Sequence, residues 1–388
     1  MRLNPLPSSE YEARVNRLQE ELRKNEIDLF VGYSSECESA SSRYLTGFWP
    51  FFDFAVVMVP AQGMAALLTG GPESYEFAKE FSSVPLIFIN PLLVETCAPD
   101  WVPKVEEMNL RETISKICQK EPKKIGIGNW NIFPYPLFKE LKEAVPEAQF
   151  SKADNLLLNV QKIKTKNEIP YIVEAYHITE EAMKTALETV KPGMREWEVE
   201  AIARTKMLSM GAEGLSYPAW VCSGEHTKLS LCRSTDKIIE ENELVQFTFG
   251  AKYMGYCGNM CRPFSIGKAP KSARKLMEVA LEALYYALKN IRPGIIASSI
   301  FDGYYNILSK YGFENFTLYG PAHGTGHTEV EGFWLAKNAD FIIEPGMLFN
   351  IDIWLSDGIN GLRYEDGILI TDNGIKELTS YKREIIEL

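Results

Sequence analysis

Two histidines stand four residues apart in Gly320-Pro321-Ala322-His323-Gly324-Thr325-Gly326-His327. An HxxxH pair on a helix would suggest zinc, but Gly324 and Gly326 disfavour a helix here. The glycines instead let backbone approach a ligand while two imidazoles, titratable near neutral pH, are presented to it. Further on, Asp352 lies within the apolar run Phe349–Trp354, and Glu365 within the run 361–370. A carboxylate inside such a strand costs roughly several kcal/mol unless it is paired, hydrogen-bonded or metal-bound. Period-two alternation puts Arg363 on the face of Glu365, so two readings stand side by side. One is an internal ion pair of Arg363 with one of the acids; the other is an acid pair facing a pocket, with His327 as general acid or base beside it.

Alternation also places Cys257, Asn259 and Cys261 on one strand face, where Cys261 either packs inertly or faces His327 as a nucleophile with its base. Glu329 and Glu331 add acid near His327 or are simply solvated. Trp334, with Phe333, forms either an aromatic wall for a cationic or apolar small molecule or part of a core. His177 lies mid-helix and reads as structural.

These residues need elements to hold them. From about residue 165 the sequence repeats an order of signals: a helix from Glu168 to about Val190 ends at Lys191-Pro192-Gly193, and the next stops at Gly211. At an offset of 101 residues a helix from Ser272 to about Ile291 ends at Arg292-Pro293-Gly294, and its successor stops at Gly312. A duplicated helix–turn–helix unit follows, each copy delivering a strand pair: 244–250 with 256–264, then 347–354 with 361–370. Packed about a pseudo-twofold axis, the hairpins bring Thr248 and Asn259 towards Asp352 and Glu365. The first 150 residues alternate helix and strand. A Ser9–Glu12 capping-box pattern opens a helix, strands are expected at 28–32, 54–60, 64–69, 86–90 and 124–128, and helices near 104–120 and 134–144. The fold class is α/β, in two domains, 1–160 and 161–388.

A net charge of −11 opposes nucleic acid and anionic membrane as partners. The apolar stretch 51–70 is broken by Asp53, Pro60, Gln62 and Gly63, so no spanning helix is expected, and the N-terminus has no signal-peptide core. Seven scattered cysteines without CxxC spacing suit reduced thiols and a cytoplasmic protein.

The segments GAKYMGYCGNMCRPFSIG, HGTGH, EPGMLFNID and GLRYEDGILIT, with the linker KIKTKNEIPYIVEAYHITEEAM, resemble the creatinase/aminopeptidase P/prolidase family along the whole chain. The resemblance implies a smaller creatinase-type N-terminal α/β domain before a duplicated pita-bread domain, and a homodimer. Metal-dependent members bind two divalent ions through Asp, Asp, His, Glu and Glu, which fall here on Thr248, Asn259, His327, Asp352 and Glu365. The resemblance therefore implies no metal pair, and at most one divalent ion on His327, Asp352 and Glu365. The peptidases' further histidines fall on Leu231 and Trp334. Creatinase, the metal-free precedent, would lack its catalytic His at Leu231 and a glutamate at Cys261.

The expected function is a hydrolase, or a related lyase, acting on a small C–N-bonded molecule. His327, Glu365 and Asp352 would be catalytic, and His323, His226, Asn259, Cys261, Arg363 and Trp334 would bind substrate. His226 is also readable as a loop-capping residue. The alternatives are a pseudoenzyme that binds a ligand or partner, and a metal-dependent Xaa-Pro peptidase with an atypical site.

Overall fold

The computed structural model describes residues 5–95 and 106–388. They form two compact units, Pro5–Gln161 and Lys162–Leu388.

The N-terminal unit runs α1 (Ser8–Lys24), β1 (Leu29–Ser34), α2 (Ala40–Thr46), β2 (Ala55–Pro60), β3 (Ala66–Thr69), α3 (Pro72–Phe81), β4 (Leu86–Ile89), α4 (Leu110–Ile117), β5 (Lys124–Gly128), α5 (Tyr135–Ala144), β6 (Gln149–Lys152) and α6 (Asp154–Gln161). Its strands order as β4-β3-β2-β1-β5-β6. Both sheet faces are covered. Phe30, Val57 and Leu67 pack with α1 and α6 residues on one side, while Val31, Val56 and Leu68 pack with Ile114 and Leu141 on the other. Burial on both faces is why β1 and β2 read as continuous apolar runs. The Ser9–Glu12 capping box does not form: α1 starts after Pro7, with no side-chain cap. A complete box closes instead at Asn109 and Glu112. Part of the helix expected near 104–120 lies outside the described residues.

In the C-terminal unit the repeat is explicit. α7 (Ile169–Thr189) and α8 (Glu196–Ser209) precede β7 (Gly214–Leu215), β8 (Trp220–Ser223), β9 (Leu244–Tyr253) and β10 (Tyr256–Ser265). α9 (Lys271–Asn290) and α10 (Ala297–Lys310) precede β11 (Ala322–Gly324), β12 (Leu348–Ser356) and β13 (Gly361–Thr371), followed by β14 (Gly374–Glu377) and β15 (Ile386–Glu387). Gly193 and Gly294 hold the same left-handed conformation at φ +90° and +86°, and each donates its N–H to a following loop, to Ile239 and Ile343. The strands form one sheet along β11-β12-β13-β10-β9-β7, so the two hairpins meet at β10 and β13. α7 lies directly on this sheet. A Cβ at Gly258 would sit 2.4 Å from the Ala175 backbone, so only glycine permits that approach.

The seam between hairpins pairs at one position, Cys261 opposite Glu365. The fully buried Arg262 crosses it, donating to the carbonyls of Cys261 (2.8 Å), Glu365 (3.0 Å), Tyr381 (3.0 Å) and Lys382 (2.9 Å), and to Asp366 Oδ1 at 2.7 Å. Asp366 also accepts from Arg383 Nε at 3.0 Å and from Thr379 Oγ1 at 2.5 Å. Removing one partner of a buried pair leaves an uncompensated charge. Asp366→Ala should therefore destabilise the protein by ~3–5 kcal/mol in equilibrium urea unfolding, and a loss nearer zero would show that the seam does not rest on this pair.

Candidate active site

Strand register assembles the site. Thr248 on β9 lies opposite Cys261 on β10, Cys261 opposite Glu365 on β13, and Glu365 opposite Asp352 on β12. His323 on β11 lies opposite Asn350, two residues before Asp352. Five strands thus place these six side chains in an otherwise apolar sheet.

Glu365 is the centre. Its Oε1 accepts from Asn350 Nδ2 at 2.9 Å, and its Oε2 accepts from the Cys261 thiol at 2.9 Å and from Tyr217 Oη at 3.5 Å. Asn350 in turn accepts from the Tyr176 hydroxyl, which α7 supplies. Burial pushes Glu365 well above the usual carboxylate range; Asp352 and Glu329 add to this, and Arg363 opposes it. Burial likewise pushes the Cys261 thiol up, with Glu365 adding to the effect, so Cys261 is a donor to Glu365 and not a poised thiolate.

The imidazole within 4 Å of Glu365 is that of His323. Its buried Nε2 lies 3.9 Å from Glu365 Oε1 and 3.6 Å from Glu329 Oε1, and has no hydrogen-bond partner among the described residues. Its Nδ1 is 3.0 Å from the Gly324 carbonyl, and its ring packs on Trp334 at 4.9 Å. Burial raises the proton affinity of Glu329, and Asp352 adds to this, while His323 opposes it.

His327, also expected in the pocket, has these neighbours. Its ring packs against Tyr256 at 4.5 Å and its N–H donates to Glu331 Oε1 at 3.1 Å, while Glu331 pairs in the interior with Lys164. β11 ends at Gly324, three residues before His327. Asp352 takes the ion-pair reading: Arg363 Nε stands 3.1 Å from its Oδ1. Arg363 also reaches the Tyr319 hydroxyl and the Ser230 carbonyl (3.2 Å), between the faces of Trp220 and Tyr319. Asn259 accepts from Ser216 Oγ at 2.6 Å and, like Thr248, is neutral and buried. His226 takes its capping reading: Nδ1 lies 3.1 Å from Glu196 Oε1, beside Ser223 and Thr235, which donate to the same carboxylate. Leu231 is 77% exposed, so no imidazole is lost from the interior there. The expectation of Cys261 facing His327 is replaced by the Cys261–Glu365 bond.

Sequence reasoning missed Tyr176, Tyr217, Tyr319 and Asn350. Alternation in Phe349–Trp354 carries a signal for Asn350, which shares the face of Asp352. None exists for Tyr176, 174 residues from its partner.

Residues 171–372 match the model of metallopeptidase family M24, and residues 14–161 match the creatinase/prolidase N-terminal domain. The chain belongs to family M24. A curated Xaa-Pro dipeptidase of Pyrococcus horikoshii is 28% identical over 96% of this chain and 98% of its own length. The crystal structure of the prolidase from the same organism superposes with TM-score 0.82 at 26% identity, covering 96% of this chain and all of that one. A Bacillus anthracis Xaa-Pro dipeptidase gives TM-score 0.81 at 25% identity, over 97% of this chain and all of that one. With the family come the pita-bread fold and the hydrolase class. M24 is a family of metallopeptidases, and the residues present set what a cation would meet. The five-ligand pattern for two ions offers here two neutral groups, Thr248 and Asn259, and an Asp352 held by Arg363, which does not fit an ion pair. His323, Glu329 and Glu365 fit one ion, because their ligand atoms all lie within 4.8 Å of one another. Ligands each ~2.1 Å from a tetrahedral ion lie roughly 3–4 Å apart.

If His226 serves Glu196 and not substrate, His226→Ala should lower stability by about 1 kcal/mol, the typical worth of one such bond. Turnover should change by less than about tenfold, well short of the loss of an acid–base group. A loss of ~10²-fold in kcat with unchanged stability would return His226 to the pocket.

Proposed function

We propose that this M24 protein hydrolyses a C–N bond in a small, peptide-like molecule, using a site centred on Glu365 with at most one divalent ion. The observation that carries the reading is the buried, unpartnered Nε2 of His323 facing two carboxyls of raised proton affinity. Such a group lacks a proton or a cation at its centre. A divalent ion on His323 Nε2, Glu329 and Glu365 would supply Lewis acidity towards the scissile carbonyl.

The chain's own groups do the rest. Asn350, Cys261 and Tyr217 fix Glu365 so that one oxygen faces His323. Glu329, the partly exposed carboxyl, has a second oxygen with which to accept the proton of attacking water and return it to the departing nitrogen. Trp334 and Tyr319, 5.5 Å apart, wall the space beside His323. Arg363, positioned by Asp352, stands next to them as a donor for a substrate oxygen. The relatives, an Xaa-Pro dipeptidase and a prolidase, favour dipeptides with C-terminal proline as first substrates. A cytoplasmic homodimer belongs to the same reading, and light scattering at micromolar concentration should give twice the chain mass.

Titration of chelator-treated protein with manganese, cobalt or zinc should end at one equivalent per chain. His323→Ala should abolish that binding and His327→Ala should retain it. Two tight equivalents, or loss of binding in His327→Ala alone, would overturn the assignment. On any peptide or amide that wild type turns over, Glu329→Gln should cost at least ~10²-fold in kcat, the low end for a lost acid–base group. Wild type inert on the whole panel, with or without metal, would put the binding-protein reading in front.

A further inference from the structure

Thr248 Oγ1 and Asn259 Nδ2 join His323 Nε2 as buried side-chain atoms with no hydrogen-bond partner among the described residues. Their side chains are closed off from solvent, Thr248 being 1% exposed and Asn259 0%. Leaving a buried donor unmet costs a fold more than one made bond gains, so each such group calls for an explanation. The candidate ion would take up His323. Nothing in the chain takes up the other two.

Strand register puts this pair on the face of Glu365. Thr248 lies opposite Cys261, and Asn259 precedes Cys261 by two residues on the same face. The Cys261 thiol reaches Glu365 Oε2 at 2.9 Å. Diagonal neighbours on a sheet stand roughly 7–8 Å apart, close enough for one small group to receive both donors. The Asn259 amide is held by one end. Ser216 Oγ donates to Asn259 Oδ1 at 2.6 Å, and the Ser216 N–H is anchored on the Gly250 carbonyl at 2.9 Å. Gly250 lies opposite Asn259, and a Cβ there would stand 1.9 Å from Ser216 Oγ and 2.8 Å from Asn259 Oδ1. Glycine therefore keeps the space in which that bond forms. Tyr217, the next residue along, brings its hydroxyl to 3.5 Å from Glu365 Oε2 and ties the same segment to the carboxyl. With Oδ1 spent on Ser216, Asn259 has only N–H groups left to offer.

We propose that Thr248 Oγ1 and Asn259 Nδ2 are a donor pair for an oxygen of the bound molecule, its amide carbonyl or a carboxylate; the ligand's class rests on the hydrolytic reading above. The chemistry follows from what the pair lacks. An amide N–H can only donate, and a hydroxyl near it completes a neutral cradle of two donors. Such a cradle holds a carbonyl oxygen, and holds it more tightly as negative charge builds there. Glu365 and Glu329 present acceptors, so the ligand's oxygen belongs on the side of the first hairpin and its N–H or water protons on theirs. A molecule with no oxygen at that point would leave both donors buried and unmet, so the pair selects against amines and alkyl isosteres.

Calorimetric binding of N-acetylproline, N-acetylpyrrolidine and proline to the full chain tests the pair. N-acetylproline should bind, and Thr248→Val and Asn259→Leu should each weaken it several-fold to about tenfold, the worth of one neutral hydrogen bond. Thr248→Ser, which keeps the hydroxyl, should hold wild-type affinity. A matching loss for N-acetylpyrrolidine places the amide carbonyl at the donors; a loss shared with proline alone places the carboxylate there. The thermal midpoint of the free protein gives a readout that needs no ligand. Thr248→Val removes an unmet hydroxyl and should hold or raise that midpoint. A midpoint lowered by several degrees, or probe affinities unmoved by both apolar substitutions, would overturn the proposal. Wild type that binds none of the three probes, with the Thr248→Val midpoint held or raised, would sustain the unmet donors and count against the peptide-like class of the ligand.

Discussion

Arg262 decides whether two hairpins become one sheet. Where β10 and β13 meet, backbone pairing is confined to Cys261 and Glu365, too little to hold two halves of a domain in register. The guanidinium supplies what the ladder lacks, spanning carbonyls on both strands and on the C-terminal segment while Asp366 balances its charge. An isolated buried guanidinium would be untenable; with four carbonyls and a carboxylate it becomes the fixed point of the seam. Everything polar in the candidate site is measured from there, because Glu365 and Cys261 are the adjoining residues on the two strands.

That constraint explains why a carboxylate survives in an apolar strand. Glu365 is hydrogen-bonded from three directions by groups on β9's flank, β10 and β12, and by way of Asn350 from α7. The cost of burial is met by neutral donors in place of a guanidinium, which instead goes to Asp352. Asp352 and Glu365, partners on adjacent strands, thus have different company: one pairs with Arg363, the other is held by neutral donors.

Much of this was legible in the sequence, and the limits were physical. Periodicity and glycine punctuation located the duplicated helices within a residue or two, since Gly193 and Gly294 adopt a conformation that few other residues take. Alternation placed Asn259, Cys261, Arg363 and Glu365 correctly on their strands. It says nothing of His323 and His327, because residues four apart in a glycine-rich turn obey neither period. His323 belongs to the last paired residues of β11, whereas His327 lies past the turn against Tyr256. The Arg363–Asp352 pair was one of two readings, and only cross-strand register distinguishes them. Tyr176 was beyond reach, since nothing local marks a tyrosine on α7 for a partner on β12.

The two copies of the duplicated unit have not kept equal charge. Thr248 and Asn259, from the first hairpin, are neutral, and Asp352, Glu365 and the nearby Glu329 all follow the second helix pair. A symmetric scaffold therefore gathers its ionisable groups, three acids and the Arg363 guanidinium, on one side of the site. A molecule lying between the two halves would meet ionisable groups on one side and neutral ones on the other.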